Sequence, residues 1–258
     1  MKFDCYIGID YSGAKTVESR LKVLQVYMAG AGELPKKISP PSQPKSKRWN
    51  WSRKEIAEWL ISLAGRDARF IAGIDHAFSF PISYLDRFGL PSWDAFLVHM
   101  TDVWPTHAKA TCVDDIRKRN PPPPTGSPDE FRLTDKWTSS AKSVFRFDVQ
   151  GQVAKSSHAG IPWLHVIRQA AGRRVRFWPF DGWGCDAGTN VIAEVYPSIF
   201  HRRYPSEGRT PDEQDAYSVA RWLCEADKNG FLERYFDPPL TPADRLQADR
   251  EGWILGVL

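Results

Sequence analysis

Cysteine is scarce in this chain: Cys5, Cys112, Cys185 and Cys224 are widely scattered among 258 residues, with no C-x-x-C pair. Neither a disulfide framework nor a cysteine zinc knuckle is therefore expected, and a reducing compartment fits best. Long apolar runs are absent as well. No stretch approaches the roughly 18 uncharged apolar residues of a membrane span. Asp4 and Asp10 interrupt the N-terminal segment where a signal peptide needs an unbroken apolar core. The expectation is a cytoplasmic protein that does not engage a membrane. Proline and glycine, 20 and 18 residues, stay well under the roughly 25–30% share of disordered chains, and no internal repeat is visible.

A core, by contrast, is amply supplied. Hydrophobic residues make up 42% of the chain, and eleven of its residues are Trp. The length suits one elaborated α/β domain over residues 1–258, and area scaling predicts about 11,500 Å² of exposed surface for such a body. The net charge of +4 conceals a concentration: Lys36, Lys37, Lys45, Lys47, Arg48, Arg53 and Lys54 are seven cations with no acid among them. Without them the remainder is 4 − 7 = −3.

Three apolar segments end at a carboxylate. Phe3 to Asp10 alternates, with Cys5, Ile7 and Ile9 on one face and Tyr6, Gly8 and Asp10 on the other. Leu21 to Met28 reads as its hairpin partner. Phe70 to Asp75 repeats the Gly-Ile-Asp ending, and Asn190 to Tyr196 carries Glu194 near its end. Val175 to Phe180 is a further strand. Between the sheet halves, residues 81–174 read as a large α-rich and irregular insertion between the fourth and fifth core strands, leaving a core of about 1–80 and 175–258. The stretches 34–47 and 120–128 read as exposed, extended loops.

Two capping boxes mark helix starts, Ser52 with Glu55 and Thr210 with Glu213. A shorter helix is expected near Ser92 to His99, and another from Ile161 with Pro162 in its first turn. After Thr210, Ala216, Val219, Ala220 and Leu223 form the buried stripe. Asp212 and Asp215 stand four residues before Ala216 and Val219, so they extend that stripe at its N-terminal end, where side chains lean back toward the helix start.

In α/β sheets functional groups gather beyond the carboxyl ends of strands. Asp10, Asp75, Glu194, Asp212 and Asp215 are accordingly the candidate catalytic group. Each such acid is common without function, because Asp favours turns and helix starts; it is their conjunction that speaks. Carboxylates this close repel unless a hard cation offsets them, so Mg²⁺ or Mn²⁺ is the expected cofactor. Two such ions suit water-mediated, in-line hydrolysis of phosphodiesters. The basic stretch offers Lys47 and Arg48 to phosphates and Trp49 and Trp51 to bases. Lys142, Lys155 and His158 are candidates for orienting a phosphate or protonating a leaving group. The arginines Arg168, Arg173, Arg174 and Arg176 read as ordinary cations near a helix end.

Gly8-Ile9-Asp10, Gly73-Ile74-Asp75, Glu194-Val195-Tyr196-Pro197, Asp212-Glu213-Gln214-Asp215-Ala216 and Glu251-Gly252-Trp253-Ile254 together resemble the domain of unknown function 429 family. The likeness spans nearly the whole chain and includes Gly151-Gln152-Val153 and Gly160-Ile161-Pro162. It implies a ribonuclease H-like fold with a five-stranded mixed central sheet flanked by helices, and a nuclease acting on DNA or RNA. It also implies that Asp10, Asp75 and Asp215 bind metal, with Glu194 or Asp212 as a further ligand. The Asp212/Asp215 pair is similar to the last-helix start of Holliday-junction resolvases, which by analogy brings in a homodimer. Two other readings stand beside this one. The first is a catalytically inactive module that binds nucleic acid or protein. The second is an actin-like ATPase or kinase, suggested by residues 8–16; no second glycine-rich loop follows Asp75 to support it.

Overall fold

The computed structural model describes residues 2–42, 50–138, 140–147, 153–184 and 188–258. Within them the chain is an α/β protein built on a mixed sheet. Its strands are β1 (Cys5–Asp10), β2 (Gln25–Gly30), β3 (Lys36–Lys37), β4 (Phe70–Ile74), β5 (Val175–Trp178) and β6 (Asn190–Glu194), in the order β3-β2-β1-β4-β6-β5. β1 is antiparallel to β2 and parallel to β4, while β6 is parallel to β4 and β5. The carboxyl ends of β1, β4, β6 and β5 therefore share one edge. Six strands are present where five were expected. The extra one is the exposed pair Lys36–Lys37, which pairs with β2 inside the stretch read as a loop; lysines at a sheet border deter further strand addition. β2 also starts later than Leu21, because the Leu21 amide donates to the Trp51 carbonyl and residues 21–24 close a turn.

The alternation of β1 holds and decides the layers. Ile7 and Ile9 join Ala72, Ile74 and Ile192 against α1 (Arg53–Leu63) and α6 (Val153–Ala171). On the opposite face Tyr6, Ile71, Ala193 and Val195 pack near Val219 and Leu223 of α7 (Pro211–Lys228). Each fully buried Ile or Leu contributes roughly 1.5–3 kcal/mol. Both capping boxes form as expected, at Ser52 for α1 and at Thr210 for α7.

The insertion carries α2 (Ile82–Arg87), α3 (Trp93–Val103), α4 (Val113–Arg117), α5 (Leu133–Trp137) and α6. It lies against the core: the accessible surface of 11806 Å² is close to the scaling value of about 11,500 Å². The helix expected to begin at Ile161 begins by Val153, and Pro162 sits inside it. A proline there has no N–H for the carbonyl four residues back. That carbonyl, of His158, instead accepts the Thr106 hydroxyl at 2.8 Å, so the helix passes through proline with the vacated acceptor satisfied. After α7 come α8 (Leu232–Phe236) and α9 (Pro242–Glu251), and the terminal Leu255 amide donates to the Glu194 carbonyl. Among the described residues no helix is long and apolar enough to cross a membrane, and Cys5, Cys112 and Cys224 are free thiols.

Candidate active site

Asp10 is the last residue of β1, and Asp75 follows β4 directly, its amide donating to the Ile9 carbonyl at 3.0 Å. Parity places Asp10 with Gly8, and Asp75 with Gly73, on the face that α7 covers. α7 comes unusually close there. A Cβ on Gly8 would lie 2.0 Å from the Ala216 carbonyl oxygen, so only glycine admits the helix at this separation. The close approach brings the first turns of α7 over the strand ends, and Asp212 and Asp215 with them. The helix start is set by its cap: Glu213 accepts from the Thr210 amide at 2.9 Å and pairs with Lys37 at 2.6 Å.

Asp10, Asp75, Asp212 and Asp215 line a single open pocket of about 640 Å³. Its other walls are the loop Tyr11 to Ala14, the α6 start with Val153, Lys155 and Ser156, and Tyr196 and Ser198 beyond β6. Gly13 meets α6 as tightly as Gly8 meets α7: a Cβ there would stand 2.0 Å from the Lys155 carbonyl oxygen. Lys155 itself is held at the wall by Asp114, 2.7 Å away.

The acids share one electrostatic problem. Burial, then Asp75, Asp212 and Asp215, hold the Asp10 carboxyl well above the usual range. Asp75 is pushed up to about 8 by burial and by the charges of Asp215 and Glu194. Burial also raises Asp215, against the pull of His201 at 3.5 Å, and raises Asp212. Asp10 and Asp75 stand close enough to bias each other's titration, and burial favours the neutral form of both. Among the described residues no three His, Cys, Asp or Glu side chains stand ready-made as a metal cage. The donor chemistry nonetheless fits a hard cation: all four groups are carboxylates, all are raised by loss of water or by one another, and all face one open volume.

Glu194 leaves this group. Its strand position pairs with Ile74, not Asp75, so its side chain projects to the face opposite α7. There Arg132 takes both of its oxygens, at 2.5 and 2.7 Å, and the Phe78 amide donates to one of them at 2.9 Å. It does not line the pocket, and it acts as a buried counter-ion.

The predicted substrate contacts divide in the same way. Lys155 reaches the pocket, while Lys142 is exposed on the insertion and takes no part in the lining. His158 is a core residue, not a proton donor: its Nδ1 bonds the Ala154 carbonyl, and Phe80, Trp104 and Phe147 surround it. Burial drives its imidazole down to about 3. Trp51 is likewise no base platform. It is 1% exposed, and its indole N–H donates to the Ile38 carbonyl. Lys47, Arg48 and Trp49 lie outside the described residues. Arg168 is engaged by Asp94 and Asp181, and Arg174 by the carbonyls ending α6, the structural roles expected of them. Sequence reasoning missed the serines Ser12, Ser156 and Ser198. The position of Ser12 two residues after a strand-end acid was the one available signal.

No family model, curated protein or solved structure matches this chain.

Proposed function

We propose that this chain is a divalent-metal-dependent nuclease, with Asp10, Asp75 and Asp215 holding Mg²⁺ or Mn²⁺ and Asp212 supporting them from the pocket rim. The observation that carries the reading is the convergence of four aspartates, from β1, the end of β4 and α7, in one pocket. The sheet order supports the finer assignment to a ribonuclease H-like fold: β1 lies between an antiparallel β2 and a parallel β4, with β6 next. The motif resemblance to the domain of unknown function 429 family points the same way.

Asp10, Asp75 and Asp215 would hold such cations, whose chemistry would be activation of a water and stabilisation of the departing oxygen in an in-line phosphodiester displacement. The chain's own residues prepare for that chemistry. The raised Asp10 and Asp75 carboxyls hold protons that a cation must displace, so metal binding strengthens as pH rises. Lys155, held by Asp114 in the lining of the same pocket, is the cation placed to meet a phosphate there.

The test is cleavage of labelled single-stranded, duplex and branched DNA and RNA in Mg²⁺ or Mn²⁺, with Asp10→Asn purified alongside. Cleavage is expected to vanish in EDTA and to fall at least about 100-fold in Asp10→Asn. A folded wild type that binds nucleic acid and cuts no substrate would refute the nuclease reading and leave a binding module.

A further inference from the structure

Arg53 opens α1, yet its side chain turns inward and is 1% exposed. It came from the basic stretch that sequence alone assigned to phosphate contacts, but its guanidinium faces backbone oxygen. Nη1 donates to the carbonyls of Ser12 and Ala14 at 3.1 and 2.7 Å, and Nη2 to that of Lys15 at 2.9 Å. One buried cation thus gathers three carbonyls of the loop that follows Asp10. A peptide unit is planar, and in its trans form the N–H points opposite to the C=O; none of these peptides is cis. The amides of Gly13, Lys15 and Thr16 are therefore directed away from Arg53. Among the described residues they have no hydrogen-bond acceptor; the Ala14 amide alone in this turn is taken, by the Ser12 hydroxyl.

The loop is also held from its other side. Gly13 sits directly against the Lys155 carbonyl, and Lys15 adopts a left-handed backbone with φ of 54°. A left-handed residue within such a turn brings successive amides toward a common side, which makes a concavity for an anion. Ser12, Gly13 and Ala14 line the same pocket as the four aspartates, and Lys155 lines it beside Gly13. Lys15 is exposed at the loop tip.

We propose that the loop Ser12 to Thr16 is a phosphate seat, in which the amides of Gly13, Lys15 and Thr16 hold a phosphate group and Lys15 supplies its counter-charge. The source of that phosphate, the backbone of a nucleic-acid strand, rests on the nuclease reading above; the seat itself does not. Arg53 acts as a positioning residue, since it touches the loop and not the anion. Donors fixed in advance need no reorganisation when the anion arrives.

The experiment follows amide resonances of the ¹⁵N-labelled full chain during titration with inorganic phosphate, AMP, ATP and a short single-stranded oligonucleotide. It is run in EDTA and again in Mg²⁺, with cleavage read in parallel on a gel. The expected result is that the oligonucleotide moves the Gly13, Lys15 and Thr16 amides first, and that phosphate moves the same three at higher concentration. Lys15→Ala, an exposed change, should weaken oligonucleotide binding roughly 3- to 10-fold and lower the salt dependence by about 0.7 in log–log slope. Cleavage with those three amides unmoved would overturn the seat and leave the nuclease reading standing. Movement of the amides without cleavage of any substrate would uphold the seat and remove the nuclease reading. Movement with ATP alone would overturn a strand backbone as the phosphate source.

Discussion

Asp75 holds its proton against the solvent of an open pocket because it is half-buried and stands in the field of Asp215 and Glu194. Its folded value of about 8 lies above the ordinary 3.8, so the folded chain binds the proton more tightly than the unfolded one. The stability this provides is complete below about pH 4 and is lost as pH rises through 8. In EDTA the thermal midpoint should therefore fall between pH 5 and pH 8. Added Mg²⁺ should raise it more at pH 8, where no proton competes. Asp75→Asn should flatten this dependence and, in EDTA at pH 8, stabilise the chain by about 1–4 kcal/mol. Calorimetry across that range decides it, and an Asp75→Asn slope equal to the wild type's would reject the account.

At the scale of elements the site depends on how closely β1 and α7 approach. A methyl group on Gly8 would meet the Ala216 carbonyl oxygen at 2.0 Å and the Ala220 amide nitrogen at 2.8 Å. Both atoms are backbone, so no side-chain rotation relieves the clash, and the helix itself must move. Gly8→Ala should cost at least about 3 kcal/mol in urea unfolding and should separate Asp212 and Asp215 from Asp10, weakening Mg²⁺ binding. Wild-type stability in that variant would show the contact to be slack. The caps of both helices were legible from four-residue patterns, because a capping box is a local exchange of hydrogen bonds. The course of α6 through Pro162 was not, because the Thr106 hydroxyl that satisfies the His158 carbonyl comes from 52 residues away.

Across the whole molecule one buried network joins the insertion to the core. Arg132 binds Asp135 of α5 and Glu194 of β6, while the Glu251 carboxylate accepts from the amides of Ile82 and Leu133. Burial works against the Arg132 charge, and Asp135 and Glu194 outweigh it. Arg132→Met should cost about 3–5 kcal/mol, since two buried carboxylates lose their partner. Adding Glu194→Gln should recover part of that loss, with a coupling of about 0.5–3 kcal/mol in the double-mutant cycle. Glu194→Gln alone should leave Mg²⁺ affinity near that of the wild type, whereas Asp10→Asn should not. Urea unfolding and Mg²⁺ titration of the variants provide the measurements, and loss of Mg²⁺ binding in Glu194→Gln would return it to the ligand group.

The sequence by itself determined which residues could meet: a period of two put Asp10 on the face of Gly8, and a helical period put Asp212 and Asp215 on the stripe of Ala216 and Val219. These are consequences of backbone geometry, legible within a few residues. Only the tertiary structure decided which face of each strand met which partner. Glu194 looked equivalent to Asp10 and Asp75 as an acid at a strand end, but its pairing with Ile74 turned it toward Arg132. Trp51, His158 and Arg53 carried the composition of a substrate surface, and packing placed them inside. Local periodicity sets a side chain's direction relative to its own element, whereas long-range register and the buried partners available set where that direction leads.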